Sequence, residues 1–178
     1  MTDTEKIYLY NFSKKLSFNS VVVEIGSYLG ASTCCIAKGL KQGCKLYCID
    51  TWGNHHMKYV DQDIDGEERN TYQDFMQNIF KYKDKIIPLR GWSYDMIDIL
   101  KSAENHIDFL FFDGDHNYEG IKKDWDLFSP LLKKGSFVAF HDTGWAEGVN
   151  KVIKDEVKPV SHLKFKLPNL EIYEITVE

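Results

Sequence analysis

Hydrophobic stretches of two kinds alternate along the 178-residue chain. Short runs of β-branched and aromatic residues predict strands, whereas apolar residues that recur every three or four positions predict helices. The predicted strands are residues 21–25, 45–50, 85–90, 107–113 and 136–142. The predicted helices are residues 31–40, 70–82, 94–103, 118–132 and 148–157, after an N-terminal segment, residues 1–18, that contains a helix over residues 4–15.

The C-terminal part of the chain has a different pattern. Residues 163–167 and 170–177 alternate apolar and polar positions on either side of Pro168 and Asn169, which predicts an antiparallel hairpin. Strands that alternate with helices predict a parallel sheet with helices on both faces. The chain is therefore predicted to be a single α/β domain over residues 1–178, doubly wound, with a mainly parallel seven-stranded sheet that ends in the hairpin.

Composition narrows the class of protein. Hydrophobic residues make up 43% of the chain, and the net charge is −5 without a long basic block, which disfavours nucleic acid and anionic membranes as partners. No apolar run reaches the roughly 18 residues of a membrane span, and the polar N-terminus does not resemble a signal peptide. The four cysteines, all within residues 34–48, fit small buried thiols in a reducing compartment. We therefore expect a globular cytoplasmic protein.

Polar residues lie at the ends of four predicted parallel strands. Glu24 is near the end of the first strand, Asp50 ends the second, Asp113 ends the fourth, and His141 and Asp142 end the fifth. In a doubly wound sheet, ligands bind beyond the carboxyl ends of the strands. The sequence therefore predicts that these five side chains border one crevice.

The turn after the first strand, EIGSYLGAS, indicates which ligand this crevice accepts. Gly26 and Gly30 form G-x-x-x-G, whereas a dinucleotide fingerprint requires a glycine where Tyr28 stands. The Tyr28 side chain would obstruct a pyrophosphate, and the Glu24 carboxylate would repel it and attract an ammonium or sulfonium group. An ordinary strand–helix turn without a ligand remains the alternative interpretation.

Later strand ends add features of a nucleoside site. Asp50 lies 24 residues after Gly26, and an acidic residue there suits the two hydroxyls of a ribose. Trp52 offers an aromatic plane beside a base, and Ser93 offers a hydrogen bond to it, although residues such as Trp52 and Trp92 are more often core residues than platforms for a base. Together these features describe an adenosine with a positively charged amino-acid tail and no phosphates.

At the level of motifs, the sequence resembles class I S-adenosylmethionine-dependent methyltransferases. The turn EIGSYLGAS is similar to the E-x-G-x-x-x-G-x-S turn of their small-molecule O-methyltransferases. The segment FFDGDHNYEGIKKDWDLFSPLLKKGSFVAFHDT, residues 111–143, resembles the D-G-D-H-x-Y-E-G and H-D pattern of bacterial enzymes allied to macrolide-sugar O-methyltransferases. The resemblance covers nearly the whole chain and implies a single Rossmann-like methyltransferase domain.

The resemblance also implies a set of site residues. The residues placed around the methionine part of the cofactor are Glu24, Gly26, Ser27, Tyr28, Gly30 and Ser32. Asp50 is placed at the ribose, and Asp113 also belongs to the cofactor site. The residues placed around the adenine are Thr51, Trp52, Gly91, Trp92 and Ser93. Metal-dependent relatives carry an aspartate that matches Asp113 and a second acidic pair where this chain has His141 and Asp142, so these three residues are the candidate ligands of Mg²⁺ or Mn²⁺.

The activity that the resemblance implies is methyl transfer to a hydroxyl of a small molecule, with a sugar or polyketide-linked sugar as one candidate. His116, in the turn after the fourth strand, is the candidate general base, and Asp113 is the second catalytic candidate. An imidazole near neutral pH can accept a proton from a hydroxyl. We expect Asp115 or a neighbouring acid to orient the ring, although Asp115 or His116 could instead cap the following helix.

Two other functions remain open on the sequence alone. His116, His141 and a carboxylate could form the facial triad of a non-haem metal enzyme. The chain could also bind the cofactor without catalysis. The acceptor site needs a lid, which could come from the loop 53–68, from the N-terminal helix or from a second subunit of a homo-oligomer; a solvated acidic loop is the alternative interpretation of residues 53–68.

Overall fold

The computed structural model describes residues 1–53 and 71–177 of the chain. The strands, numbered in chain order, are β1 Val21–Ile25, β2 Lys45–Asp50, β3 Ile86–Arg90, β4 Ile107–Phe112, β5 Leu132–His141, β6 Ser161–Leu167 and β7 Leu170–Ile175. The α-helices in this part of the chain are α1 Asp3–Ser13, α2 Ala31–Gly39, α3 Thr71–Ile79, α4 Ser93–Ala103, α5 Tyr118–Phe128 and α6 Glu147–Val152.

All seven strands belong to one sheet, in the order β3-β2-β1-β4-β5-β7-β6. The first five strands are parallel, whereas β7 runs antiparallel to both β5 and β6. The strand order reverses between β1 and β4, which is where open α/β sheets bind their ligands. The predicted fold class, including the C-terminal hairpin around Pro168 and Asn169, is confirmed.

Helices cover both faces of the sheet, and β1 carries apolar side chains on each of them. Val23 belongs to a core cluster with residues of α4, α5 and α6, and its neighbour Val22 belongs to a second cluster with residues of α1, α2 and α3. Successive side chains of a strand point to opposite faces. The sheet is therefore the middle of three layers, as doubly wound folds require.

Three helix ends differ from the prediction. The predicted helix 118–132 ends at Phe128, because Pro130 lies in a short 3₁₀ segment, Ser129–Leu131, from which β5 begins directly. The predicted helix 148–157 is α6 followed by a π-helical turn, Ile153–Val157. The predicted helix 70–82 becomes a 3₁₀ segment, Phe80–Lys85, after Ile79. These changes leave the order of elements intact.

The predicted lid and possible membrane-spanning helices were compared with the described residues. The predicted lid, residues 53–68, lies outside the described residues except for Gly53. Within residues 1–53 and 71–177, no helix combines the length and the apolarity that a bilayer crossing requires.

Candidate active site

The turn between β1 and α2 is held against the turn after β4. Gly26 has φ +91°, and a Cβ atom there would lie 2.3 Å from the backbone oxygen of Asp113. The backbone N–H of Asp113 donates to the carbonyl of Ile25 over 2.9 Å. Only glycine fits this close approach in the left-handed region. The predicted cofactor turn and Asp113 are therefore brought together at the carboxyl edge of the sheet.

Glu24 lies beneath this turn and does not border the crevice that the sequence predicts. The side chain is fully buried, and its Oε2 accepts hydrogen bonds from the hydroxyls of Ser27, at 2.8 Å, and Thr33. Burial raises the pKa of the carboxyl group, although hydroxyl donors that include Ser32 oppose the rise. Its Oε1 is buried without a hydrogen-bond partner in the described part of the chain. An orphaned carboxylate oxygen fits a ligand that brings a cationic group to this turn.

Asp50 joins the ends of β1 and β2. Its Oδ2 accepts the backbone N–H of Tyr28 at 2.9 Å, and its Oδ1 accepts the backbone N–H of Trp52 at 2.7 Å. Tyr28 and Trp52 both have positive φ, at 42° and 46°, which costs conformational energy in residues other than glycine. The carboxylate therefore holds two strained turns in place, and its remaining lone pairs are available to a ribose.

Trp52 does not offer an exposed aromatic plane to a base. The indole is 4% exposed and packs against the rings of Tyr72 and Phe75, and its Nε1 donates to the carbonyl of Tyr28 over 2.7 Å. It is a core side chain because the strand end turns it under the β1–α2 loop. Trp92 is 38% exposed, and its ring is stacked parallel to that of Tyr94 at 6.0 Å.

The end of β3 adjoins the Asp50 turn. The backbone N–H of Gly91 donates to the carbonyl of Asp50 over 2.9 Å, and Ser93 is the first residue of α4. The Ser93 hydroxyl donates to the carboxylate of Asp124, a buried residue of α5 that is absent from the predicted site residues. Asp124 occupies a position of the apolar stripe of α5, Ile121, Asp124, Trp125 and Phe128. A carboxylate within an apolar stripe is the sequence signal that could have identified it.

Asp113, His141 and Asp142 form a cluster at the ends of β4 and β5. Nδ1 of His141 lies 3.0 Å from Oδ1 of Asp113 and 3.1 Å from Oδ1 of Asp142, and one ligand atom from each residue lies within 4.8 Å of the others. The imidazole is 6% exposed, and the two carboxylates are 21% and 13% exposed. Asp142 has φ +61°, a strained conformation of the kind found at functional sites.

The surroundings of His141 fit a cation at this cluster. Nδ1 has no hydrogen bond of acceptable geometry to either carboxylate, although both are close. Nε2 lies 3.4 Å from Oε2 of Glu5, a buried residue of α1. Burial lowers the pKa of His141, but the carboxylates of Asp113 and Asp142 outweigh burial and raise it to about 10. The two carboxylate oxygens are ligands that suit Mg²⁺ or Mn²⁺, whereas the imidazole nitrogen is a ligand more typical of Zn, Fe or Ni ions.

His116 lies beside this cluster on the solvent side. Its Nε2 lies 2.7 Å from Oδ2 of Asp142, and its ring contacts the exposed indole of Trp145 at 4.9 Å between centroids. The Trp145 indole donates to Oδ1 of the same aspartate over 2.9 Å. The orienting acid is therefore Asp142, whereas Asp115 accepts the backbone N–H of Asn117 at 3.0 Å.

Two alternatives that the sequence leaves open are not found in this arrangement. Neither Asp115 nor His116 caps α5, because Asn117 is the N-cap and its side chain accepts the backbone N–H of Gly120 at 3.0 Å. The facial triad of two histidines and one carboxylate is not assembled, because the cluster found in the described residues contains one histidine, His141, and two carboxylates. His116 contributes a hydrogen bond to the cluster and not a ligand atom.

Comparison with known proteins assigns a family to this architecture. Residues 23–143 match the model of a family described as a methyltransferase domain. An uncharacterized protein of Sinorhizobium fredii is 28% identical over 126 residues, and one of Acanthamoeba polyphaga mimivirus is 31% identical over 104 residues. These alignments cover 68% and 52% of this chain but only 13% and 45% of the two relatives.

A solved structure matches nearly the whole chain. An O-methyltransferase from Bacillus cereus, crystallised in complex with SAH, superposes with a TM-score of 0.74 at 13% sequence identity. The match covers 99% of this chain and 82% of that chain. At this low identity the likeness establishes the fold.

Proposed function

The chain belongs to the family with this methyltransferase domain, and we propose on that premise that it is an S-adenosylmethionine-dependent O-methyltransferase. The proposed acceptor is a hydroxyl of a small molecule, with a sugar as the first class to test. The resemblance of its motifs to small-molecule O-methyltransferases supports the acceptor class, and the SAH bound to the structural relative from Bacillus cereus supports the cofactor.

One observation carries the proposal that the acceptor is a hydroxyl. The imidazole of His116, 44% exposed, hydrogen-bonds to Asp142 at the carboxyl edge of the sheet, next to the cluster of Asp113 and His141. A hydroxyl needs a proton acceptor when it attacks a methyl group, whereas the sulfonium that loses the methyl group needs no acid. A solvent-facing base with a fixed partner meets that requirement.

The cofactor, when bound, supplies a methyl group on a positively charged sulfur. The residues of the chain would orient it. The β1–α2 turn, with Glu24 beneath it, would receive the amino-acid tail, and the Asp50 carboxylate would accept the ribose hydroxyls. The N-terminus of α4 at Ser93 would border the adenine. Much of the rate enhancement would come from holding the acceptor oxygen and the methyl group in line.

The proton of the acceptor hydroxyl would pass to His116. A neutral imidazole has one N–H donor and one nitrogen with a lone pair. Because Nε2 would donate to Asp142, Nδ1 would carry the lone pair and would accept the proton. Asp142 would then stabilise the imidazolium that results, as a carboxylate partner does in catalytic dyads.

Asp113, His141 and Asp142 would hold a divalent ion, Mg²⁺ or Mn²⁺, which supplies charge that lowers the pKa of a bound hydroxyl. Glu5 would support that site from α1, because its carboxylate lies on the opposite nitrogen of the His141 ring. A carboxylate on the second nitrogen fixes the tautomer and raises the basicity of a ligating histidine.

The proposal is tested with S-adenosylmethionine that carries a ¹³C-labelled methyl group. The purified protein is incubated with a panel of sugars, glycosides and phenols, and the products are examined by ¹³C NMR and mass spectrometry. We expect the label on an oxygen of one acceptor class, with stoichiometric SAH. Label on nitrogen or carbon would refute O-methylation, and SAH binding without turnover on any acceptor would favour a cofactor-binding protein without catalysis.

A further inference from the structure

A buried carboxylate supports the hydroxyl at the start of α4. Asp124 is 7% exposed, and its Oδ1 accepts a hydrogen bond from the hydroxyl of Ser93, which is half-buried. The two residues are 31 positions apart and join α4 to α5. Placing a carboxylate in an apolar stripe is costly, so this contact requires an explanation beyond helix packing.

The direction of this hydrogen bond follows from the chemistry of the two groups. An ionised carboxylate only accepts, and a serine hydroxyl has a single proton and two lone pairs. The proton of Ser93 must therefore point to Asp124, and both lone pairs of its oxygen remain for other partners. Burial raises the pKa of Asp124 to about 6, against the opposing effect of the Ser93 hydrogen bond, so the carboxylate is still mainly ionised at pH 7.5.

Ser93 also lies next to the nucleoside part of the proposed cofactor site. Gly91, two residues earlier, donates its backbone N–H to the carbonyl of Asp50. Asp50 in turn accepts the backbone N–H of Tyr28 in the β1–α2 turn. The three turns therefore form a continuous row along the carboxyl edge, with Ser93 at the end of the row beyond the proposed ribose position.

We propose that Asp124 is a positioning residue that makes the Ser93 oxygen an acceptor, so that the site selects a purine with an amino group at position 6 over one with a carbonyl group there. This inference rests on the proposed function. An adenine N6 amino group donates a hydrogen bond to the Ser93 oxygen, whereas the O6 of hypoxanthine would bring a second acceptor against it. A site that leaves polar groups unpaired with the wrong ligand discriminates strongly.

The test compares SAH with its deaminated analogue S-inosylhomocysteine, in which O6 replaces the amino group and the adjacent N1 carries a proton. Calorimetry at pH 7.5 on the wild-type protein is expected to give SAH an affinity roughly 10- to 100-fold higher. In Asp124→Asn the amide can donate to the Ser93 oxygen, which frees the hydroxyl proton of Ser93. The ratio of the affinity for SAH to that for S-inosylhomocysteine is therefore expected to fall at least about tenfold. Ser93→Ala, which lacks the acceptor, is expected to lose most of the preference as well.

The control is Asp126→Asn on the same helix, because Asp126 is exposed and pairs with Lys122. Its ligand ratio is expected to equal that of the wild type. Both affinities are measured on the same folded variant, so a general loss of stability does not change their ratio. The ratio therefore distinguishes a positioning role of Asp124 from a role in helix packing. If Asp124→Asn keeps the wild-type ratio, or if the wild type binds both ligands equally, the inference is wrong while SAH binding sustains the proposed function. If the wild type binds neither ligand, the proposed function fails and the inference fails with it.

Discussion

Nδ1 of His141 lies 3.0 Å from Oδ1 of Asp113 without forming a hydrogen bond of acceptable geometry. The Asp142 carboxylate lies 3.1 Å from the same nitrogen. Two carboxylates close to one buried nitrogen need positive charge between them, which either a proton or a metal ion can supply. If the charge belongs to a metal ion, Asp113, His141 and Asp142 would hold it with one ligand atom each.

The first prediction is that the cluster binds a divalent ion that turnover requires. We expect Mg²⁺ or Mn²⁺ binding by calorimetry, loss of activity with a chelator, and recovery when the ion is restored. Loss of a group that only supports a metal ligand weakens metal binding by about 10- to 100-fold. Asp113→Asn removes a direct ligand, so it should weaken metal binding by more than that. Asp115→Asn is the control in the same turn, since Asp115 bonds Asn117 instead. Full activity in excess EDTA would contradict the prediction, and the positive charge between the two carboxylates would then be a proton on His141.

The second prediction concerns His116. His116→Ala should lower kcat by about 10²–10⁴, because the imidazole would accept the acceptor proton. SAH affinity should be unchanged, because the hydrogen bond of His116 goes to Asp142 and not to a residue proposed to bind the cofactor. The hydrogen bond to Asp142 raises the pKa of His116, so its neutral form, which accepts protons, appears above the ordinary pH range of histidine. The wild-type rate should rise with pH through this ionisation, and the variant should lack that rise.

The control for this variant is His106→Ala, because His106 lies before β4, away from the carboxyl edge, beside Asp108. Its rate and pH profile should match those of the wild type. A His116→Ala enzyme with near wild-type kcat on the true acceptor would remove the imidazole from the chemistry and leave it as a partner of Asp142.

The third prediction is that Asp50 determines cofactor affinity. Asp50→Ala should weaken SAH binding by roughly 1.5–3 kcal/mol, as expected for hydrogen bonds to a charged group. It should also lower the melting temperature, because the carboxylate holds the strained Tyr28 and Trp52 turns. Asp98→Asn on the exposed side of α4 is the control. We expect no detectable NAD binding, and tight NAD binding without SAH binding would contradict the cofactor assignment.

The fourth prediction links the N-terminal helix to the metal site. Glu5→Gln should lower metal affinity by about 10- to 100-fold, because the carboxylate on Nε2 orients the His141 ring. Thr2→Val is a matched control, since it removes the other half of the Glu5 capping box without touching His141. Equal losses of metal affinity in the two variants would mean that helix docking, and not the carboxylate, sets the affinity.

The fifth prediction is a pH dependence of stability that arises from Asp124. Its pKa rises from 3.8 to about 6 in the folded protein because of burial, so the unfolded chain loses this proton first as the pH increases. The group therefore destabilises the fold progressively between pH 4 and 6, by at most about 3 kcal/mol. Asp124→Asn should gain stability relative to the wild type over this interval in denaturant titrations, whereas Asp126→Asn should not. A constant difference from pH 4 to 7 would contradict the raised pKa.

The sequence by itself determined the fold and the edge of the sheet that carries the candidate site. Period-two and helical spacings are local properties, and alternating strands and helices allow few topologies once crossovers are right-handed. Polar residues such as Asp50 and Asp113 at the ends of parallel strands must then share one edge. The apolar pattern did not determine the helix ends, because it continues past Phe128, where the 3₁₀ segment with Pro130 ends the helix.

Only the tertiary structure decided which way the side chains face and which distant residues meet. Glu24 lies under its turn, and the Trp52 indole enters the core, because packing at a strand end selects the direction that a linear pattern leaves open. His116 pairs with Asp142, 26 positions away, and Glu5 reaches His141 across 136 positions. Such contacts depend on how helices dock on the sheet, and no local period encodes docking.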